Sequence, residues 1–206
     1  MSPYAYPKAR HARREQPGPY SKYPQYKPAL RREFREKCVY CCRPDGGLDQ
    51  DFGVDHYRPQ SRFPELKTSY PNLFYACNSC NRRKGKFWPT EAQLQASQFI
   101  PNPCDHEMFR HLRYRRSVVE ARSVAGEYTL RLLDLNNPKL TDFREATLVT
   151  IDATESKRRE AIEVLKSLVQ LRTSGGATGP RINAAVNKAE RAINSLDAAL
   201  RTLTGE

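Results

Sequence analysis

The pairs Cys38-Val-Tyr-Cys41 and Cys77-Asn-Ser-Cys80 bracket the string Phe52-Gly-Val-Asp55-His56-Tyr-Arg-Pro59, and the reading of this stretch decides the fold. Each CxxC pair can supply two thiolates to one tetrahedral Zn2+, and four sulfurs close the coordination shell, so the ion would be structural rather than catalytic. It would pin two segments together and hold the chain between them in place. Between Cys38 and Pro89 there are too few aliphatic residues for an ordinary core, and a metal would replace what is missing. Cys42 also stands at a permitted spacing from Cys38, although the CxxC geometry favours Cys41. A redox CxxC pair is the rival reading, but two pairs flanking a polar loop suit zinc better.

Working outward, 206 residues allow one compact domain with an appendage. A formal net charge of +12 implies a positive surface and a polyanionic partner, since Lys and Arg displace counterions from phosphate backbones. No apolar run approaches the length needed to cross a bilayer, which sets nucleic acid above membrane. The first residues, MSPYAYPKARHARR, have no apolar stretch after their basic ones, so no secretory signal is read and a reducing, cytoplasmic setting is expected.

Residues 1–32 form a basic arm with six Pro and five Tyr and no helical or strand period. The arm is expected to be extended, with tyrosines available for stacking, or else to be a disordered leader. Pro28 to Lys37 reads as a short amphipathic helix delivering Cys38. From Arg115 to Leu135 the alternation around Ala125-Gly126 suggests a hairpin running into a short helix. Residues 146–206 read as a helical hairpin broken by SGGATGP. In its last helix Ile182, Val186, Ala189, Ile193, Leu196, Leu200 and Leu203 form a coiled-coil seam, for the neighbouring helix or for another subunit.

The succession Cys38-x2-Cys41, Val54-Asp55-His56, Pro71-Asn72-Leu73, Cys77-x2-Cys80-Asn81 and Lys84-Gly85 resembles the HNH endonucleases, in the branch with a four-cysteine zinc site. The resemblance covers about fifty residues and implies an α+β fold with a zinc-stapled beta-beta-alpha-metal core, set in a nuclease domain expected over residues 33–145 that takes in the following hairpin. His56 would end the first strand and act as general base, because imidazole titrates near neutral pH. Asp55 and Asn81 would offer oxygen ligands to a catalytic Mg2+ or Mn2+, and Asn72 would orient the loop beside His56. Lys84 would add charge at the cleaved strand, with Arg58, Arg82, Arg83 and Lys86 as further phosphate contacts.

The strings Asp55-His56-Tyr-Arg-Pro59, Asn102-Pro103-Cys104-Asp105 and Leu133-Asp-Leu-Asn136 to Arg144 also resemble HNH subunits of bacterial anti-phage systems, which act beside an ATPase. That likeness implies DNA and an ATPase as partners, with self-association through the C-terminal helices as an alternative to the latter. Cys104, His106 and His111 read as packed or exposed residues without a site. The competing function is a non-catalytic, zinc-stabilised module that binds nucleic acid. Taken singly, Asp55-His56 would be a surface ion pair, and Asn72 and Asn81 a turn and a helix cap.

Overall fold

The structure, a computed structural model, describes residues 2–47, 49–174 and 179–205. Helix α1 (Lys27–Glu33) begins with Pro at its first turn, where the missing N–H costs nothing. It stops four residues short of the expected Lys37, because Arg35 and Glu36 adopt left-handed φ of 52° and 58°. These two residues swing the chain round so that Lys37 bridges to Pro44 and Cys38 enters a tight knuckle.

Strand β1 (Phe52–His56) pairs antiparallel with β2 (Leu73–Cys77), with Phe52 opposite Cys77 and His56 opposite Leu73. Every residue of β2, Leu-Phe-Tyr-Ala-Cys, is buried, as a continuous apolar run requires of a strand covered on both faces. Helix α2 (Asn78–Lys84) follows without a loop, so Cys77 closes the strand and Cys80 sits in the first helical turn. This ββα unit brings the two CxxC pairs and the Asp55-His56 pair into one neighbourhood. Around it lie the fully buried Leu30, Tyr40, Phe74, Tyr75, Leu112, Leu133 and Leu135.

A capped turn of helix, α3 (Glu91–Gln95), leads to a second hairpin of β3 (Leu112–Arg115) and β4 (Val118–Ala121), which packs against α4 (Val124–Leu132). The hairpin turns at Arg116 and Ser117, not at Ala125-Gly126 as the sequence suggested. Those two residues lie inside α4, where a Cβ on Gly126 would fall 1.9 Å from the His111 carbonyl oxygen. Glycine is there for close approach, not for a turn.

Asn137 caps α5 (Pro138–Thr173), 36 residues long, and α6 (Pro180–Thr204) runs back along it. The expected seam is the face that meets α5, with Val186 buried and the other six positions half-buried. The return ends beside the knuckle that carries Cys38, where a Cβ on Gly205 would fall 2.9 Å from Lys37 Cε and 3.3 Å from Pro44 Cβ. The proposed break SGGATGP lies mostly outside the described residues.

Residues 2–22 form no helix or strand, yet they are laid along the core rather than hanging from it. Tyr6 stacks on Tyr114 and donates to the Tyr40 carbonyl at 2.9 Å. The Glu33 carboxylate gathers the backbone N–H groups of Arg14 and Glu15, the Tyr70 hydroxyl and the His11 ring. Among the described residues no helix is long and apolar enough to cross a membrane.

Candidate active site

Cys38, Cys41, Cys77 and Cys80 are all buried, and their sulfurs lie within 4.8 Å of one another. Cys41 and Cys77 sulfurs are 3.8 Å apart, which is the edge expected of a tetrahedron with metal–sulfur bonds of about 2.3 Å. The four are positioned to hold a metal ion. Cys42 stands outside the cluster, turned away by a left-handed backbone at φ 53°, and burial pushes its thiol up to about 12. Among the described residues the cluster is completed by Cys41 and not by Cys42.

Asp55 and His56 are the last two residues of β1. Asp55 is only 3% exposed and both its oxygens are engaged, one by the Tyr40 hydroxyl at 2.5 Å and the other by Lys84 Nζ at 3.0 Å. Burial, reinforced by Asp55 itself, pushes the Tyr40 phenol well up, so Tyr40 stays a neutral donor. Lys84 also donates to the His56 carbonyl at 2.6 Å. Its side chain is 1% exposed, so the expected phosphate contact is replaced by a bond that ties α2 to the end of β1.

The His56 ring has Nε2 2.9 Å from the Lys67 carbonyl oxygen. A carbonyl only accepts, so Nε2 carries a proton, and in the neutral ring Nδ1 would be the acceptor. The 3-10 turn Tyr70–Asn72 precedes β2 and sets Asn72 opposite the chain leaving β1. Asn72 accepts from the Arg58 N–H at 2.8 Å and donates to the Arg58 and Leu66 carbonyls. Since Leu66 precedes Lys67, this amide braces the loop that holds His56.

Asn81 lies in α2 with its amide nitrogen 3.5 Å from the Val54 carbonyl of β1. A carboxylate such as that of Asp55 and an amide oxygen such as that of Asn81 are the kinds of donor a hard divalent cation takes. The acceptor count also fits, because each Asp55 oxygen has a second lone pair beyond the one used by Tyr40 or Lys84. Arg58, Arg82 and Lys86 are exposed, Arg58 lying over Phe63 and Trp88. Arg83 is tied to Ser79 and Asp134.

Three residues of this neighbourhood escaped sequence reading. Tyr40 lies within the first CxxC and links the cysteine cluster to Asp55. Arg13, from the N-terminal arm, sits over the rings of Phe34, Tyr70 and Phe74 and donates to the Pro71 and Leu73 carbonyls on either side of Asn72. Tyr23 packs edge-on against His56. The only signal in the sequence was the density of tyrosine and arginine in the arm.

Residues 38–87 match the family model of the HNH endonuclease, and the chain carries an HNH domain there. Over 117 residues the chain is 29% identical to Septu protein PtuB of Bacillus thuringiensis, covering 55% of this chain and 42% of that protein. It is 28% identical over 104 residues to protein ninG of Escherichia phage lambda, covering 50% and 48%. The protein ninG of Escherichia phage 933W matches at the same identity, with 49% of its length covered. The chain thus spans about half the length of the curated relatives it matches. No solved structure matches it.

Proposed function

We propose, from the HNH domain at residues 38–87, that this chain is a metal-dependent endonuclease that hydrolyses DNA phosphodiester bonds. The observation that carries the reading is the His56 ring, whose Nε2 proton is committed to the Lys67 carbonyl, which leaves Nδ1 as the atom that accepts when the ring is neutral. Nδ1 takes a proton from water as that water attacks the scissile phosphorus. Asn72 holds the Lys67 loop, and Lys84 holds the His56 backbone, so the base keeps its direction. A divalent cation, Mg2+ or Mn2+, held by Asp55 and Asn81, supplies charge stabilisation at the phosphoryl oxygens and the departing 3'-oxygen when bound. Zn2+ in the four-cysteine cluster is structural, its shell closed by sulfur. Exposed Arg58, Arg82 and Lys86 make phosphate contacts that do not depend on sequence.

The likeness to a Septu protein supports a place in phage defence. On that reading the α5–α6 hairpin docks an ATPase partner, and the apolar side chains of Val149, Val164 and Leu171 exposed on α5 support a protein contact there.

One observation favours a second reading, in which the domain binds nucleic acid without cutting it: Lys84 already neutralises Asp55. Plasmid cleavage by zinc-loaded protein, with Mg2+, with Mn2+ and with EDTA, separates the two. Metal-dependent conversion of supercoiled plasmid, leaving 5'-phosphate ends, supports the nuclease. Retention of DNA without cleavage in any of the three conditions supports the binding module.

A further inference from the structure

The His56 imidazole is restrained at Nε2 by one hydrogen bond, and a single N–H···O bond tolerates considerable tilt. A base whose Nδ1 must point at one water needs a second restraint on the ring plane. The structure holds one: the Tyr23 ring, 4.7 Å from the His56 ring between centroids and inclined at 72°, an edge-to-face pair.

Tyr23 is itself firmly placed. It opens the 3-10 turn Tyr23–Tyr26, which has Pro24 in its first turn. The turn is closed by the Lys22 N–H donating to the Gln25 side chain and the Gln25 N–H donating to the Lys22 carbonyl. At its far end Tyr26 is buried against Tyr70, next to the Asn72 turn, and α1 continues directly from it. The turn packs on β1, the strand that ends in His56. Upstream, Arg13 and the Glu33 hub fix the arm to the same region.

We propose that Tyr23 is a positioning residue for the His56 ring, so that the N-terminal arm completes the nuclease site. The inference rests on the nuclease reading for its kinetic consequence and on geometry alone for the contact. What is needed is the ring, not the hydroxyl, since the contact is through the aromatic edge.

The test uses the full-length, zinc-loaded chain as wild type, Tyr23→Phe and Tyr23→Leu. Each is measured for plasmid cleavage, thermal unfolding and the proton resonances of the His56 ring. An edge-to-face pair of ordinary strength corresponds to a loss in kcat of up to about tenfold in Tyr23→Leu. KM is expected to stay in place and the unfolding midpoint to fall by no more than about 3–6 °C, and Tyr23→Phe is expected to keep the wild-type rate. The His56 ring protons shift in Tyr23→Leu as the ring current is lost, and they do not shift in Tyr23→Phe. An unchanged or raised kcat in a folded Tyr23→Leu, or a change confined to KM, overturns the proposal. So do unmoved His56 resonances. If wild type shows no His56-dependent cleavage, the nuclease reading fails, and the resonances still decide whether Tyr23 holds the ring.

Discussion

Replacing Lys84 by Met removes the one ammonium that meets both Asp55 and His56 while keeping most of the side-chain volume. The lost contacts are 3.0 Å to the Asp55 carboxylate and 2.6 Å to the His56 carbonyl, in a pair whose side chains are 1% and 3% exposed. Breaking a buried pair by removing one partner costs about 3–5 kcal/mol, because the remaining charge is left uncompensated. Here the lower end is expected, since Tyr40 still donates to Asp55. About 3 kcal/mol in a chain of this size lowers the unfolding midpoint by roughly 6–12 °C. The assay is thermal unfolding at fixed zinc concentration, with Asp55→Asn and the double variant completing a cycle. The double variant is expected to lose less than the sum of the singles, because each change leaves the other partner stranded. A shift under about 2 °C for Lys84→Met, or strict additivity around the cycle, refutes the view that α2 is tied to β1 by this pair.

Cys41→Ser should abolish stoichiometric zinc binding, while Cys42→Ser should leave it intact, as read by metal release to a colorimetric chelator. Gly126→Ala should destabilise by several kcal/mol, seen as a lowered denaturant midpoint, since its Cβ would lie 1.9 Å from the His111 carbonyl oxygen. Burial alone would raise the Glu33 carboxyl, but the Arg14 and Glu15 N–H groups and the Tyr70 hydroxyl hold it below the ordinary carboxylate range. A carboxyl lowered in the folded state adds stability above its unfolded pKa, and that stability is lost as pH falls through the folded value. The protection of the Arg14 and Glu15 amides, relative to the intrinsic exchange rate at each pH, should therefore fall as pH drops below the ordinary carboxylate range, and Glu33→Gln should flatten the effect.

Much of the site was legible because its residues act through local spacing. Two CxxC pairs announce a metal cluster wherever the chain goes between them, and the order of Asp55-His56, Asn72 and Asn81 follows from β1, β2 and α2 in succession. Lys84 was misplaced because Arg-Arg-Lys-Gly-Lys reads as a solvated basic run, and only the helical phase of α2 turns its third residue inward. The second hairpin slipped for a similar reason: Gly126 satisfies a tertiary clash that leaves no local mark, whereas the true turn uses Arg116 in a left-handed conformation. Tyr23 and Arg13 lie 33 and 59 positions from His56 and Asn72, 56 − 23 and 72 − 13, and contacts at that separation have no periodic signature.

The rate of plasmid cleavage by wild type and by His56→Ala, both zinc-loaded and shown by circular dichroism to be folded, tests the role of His56 most directly. Loss of a general base should slow cleavage at least about a hundredfold in Mg2+ at neutral pH. Equal rates for the two proteins would contradict His56 as the base, and retention of DNA by both without any cleavage would leave the domain a binding module.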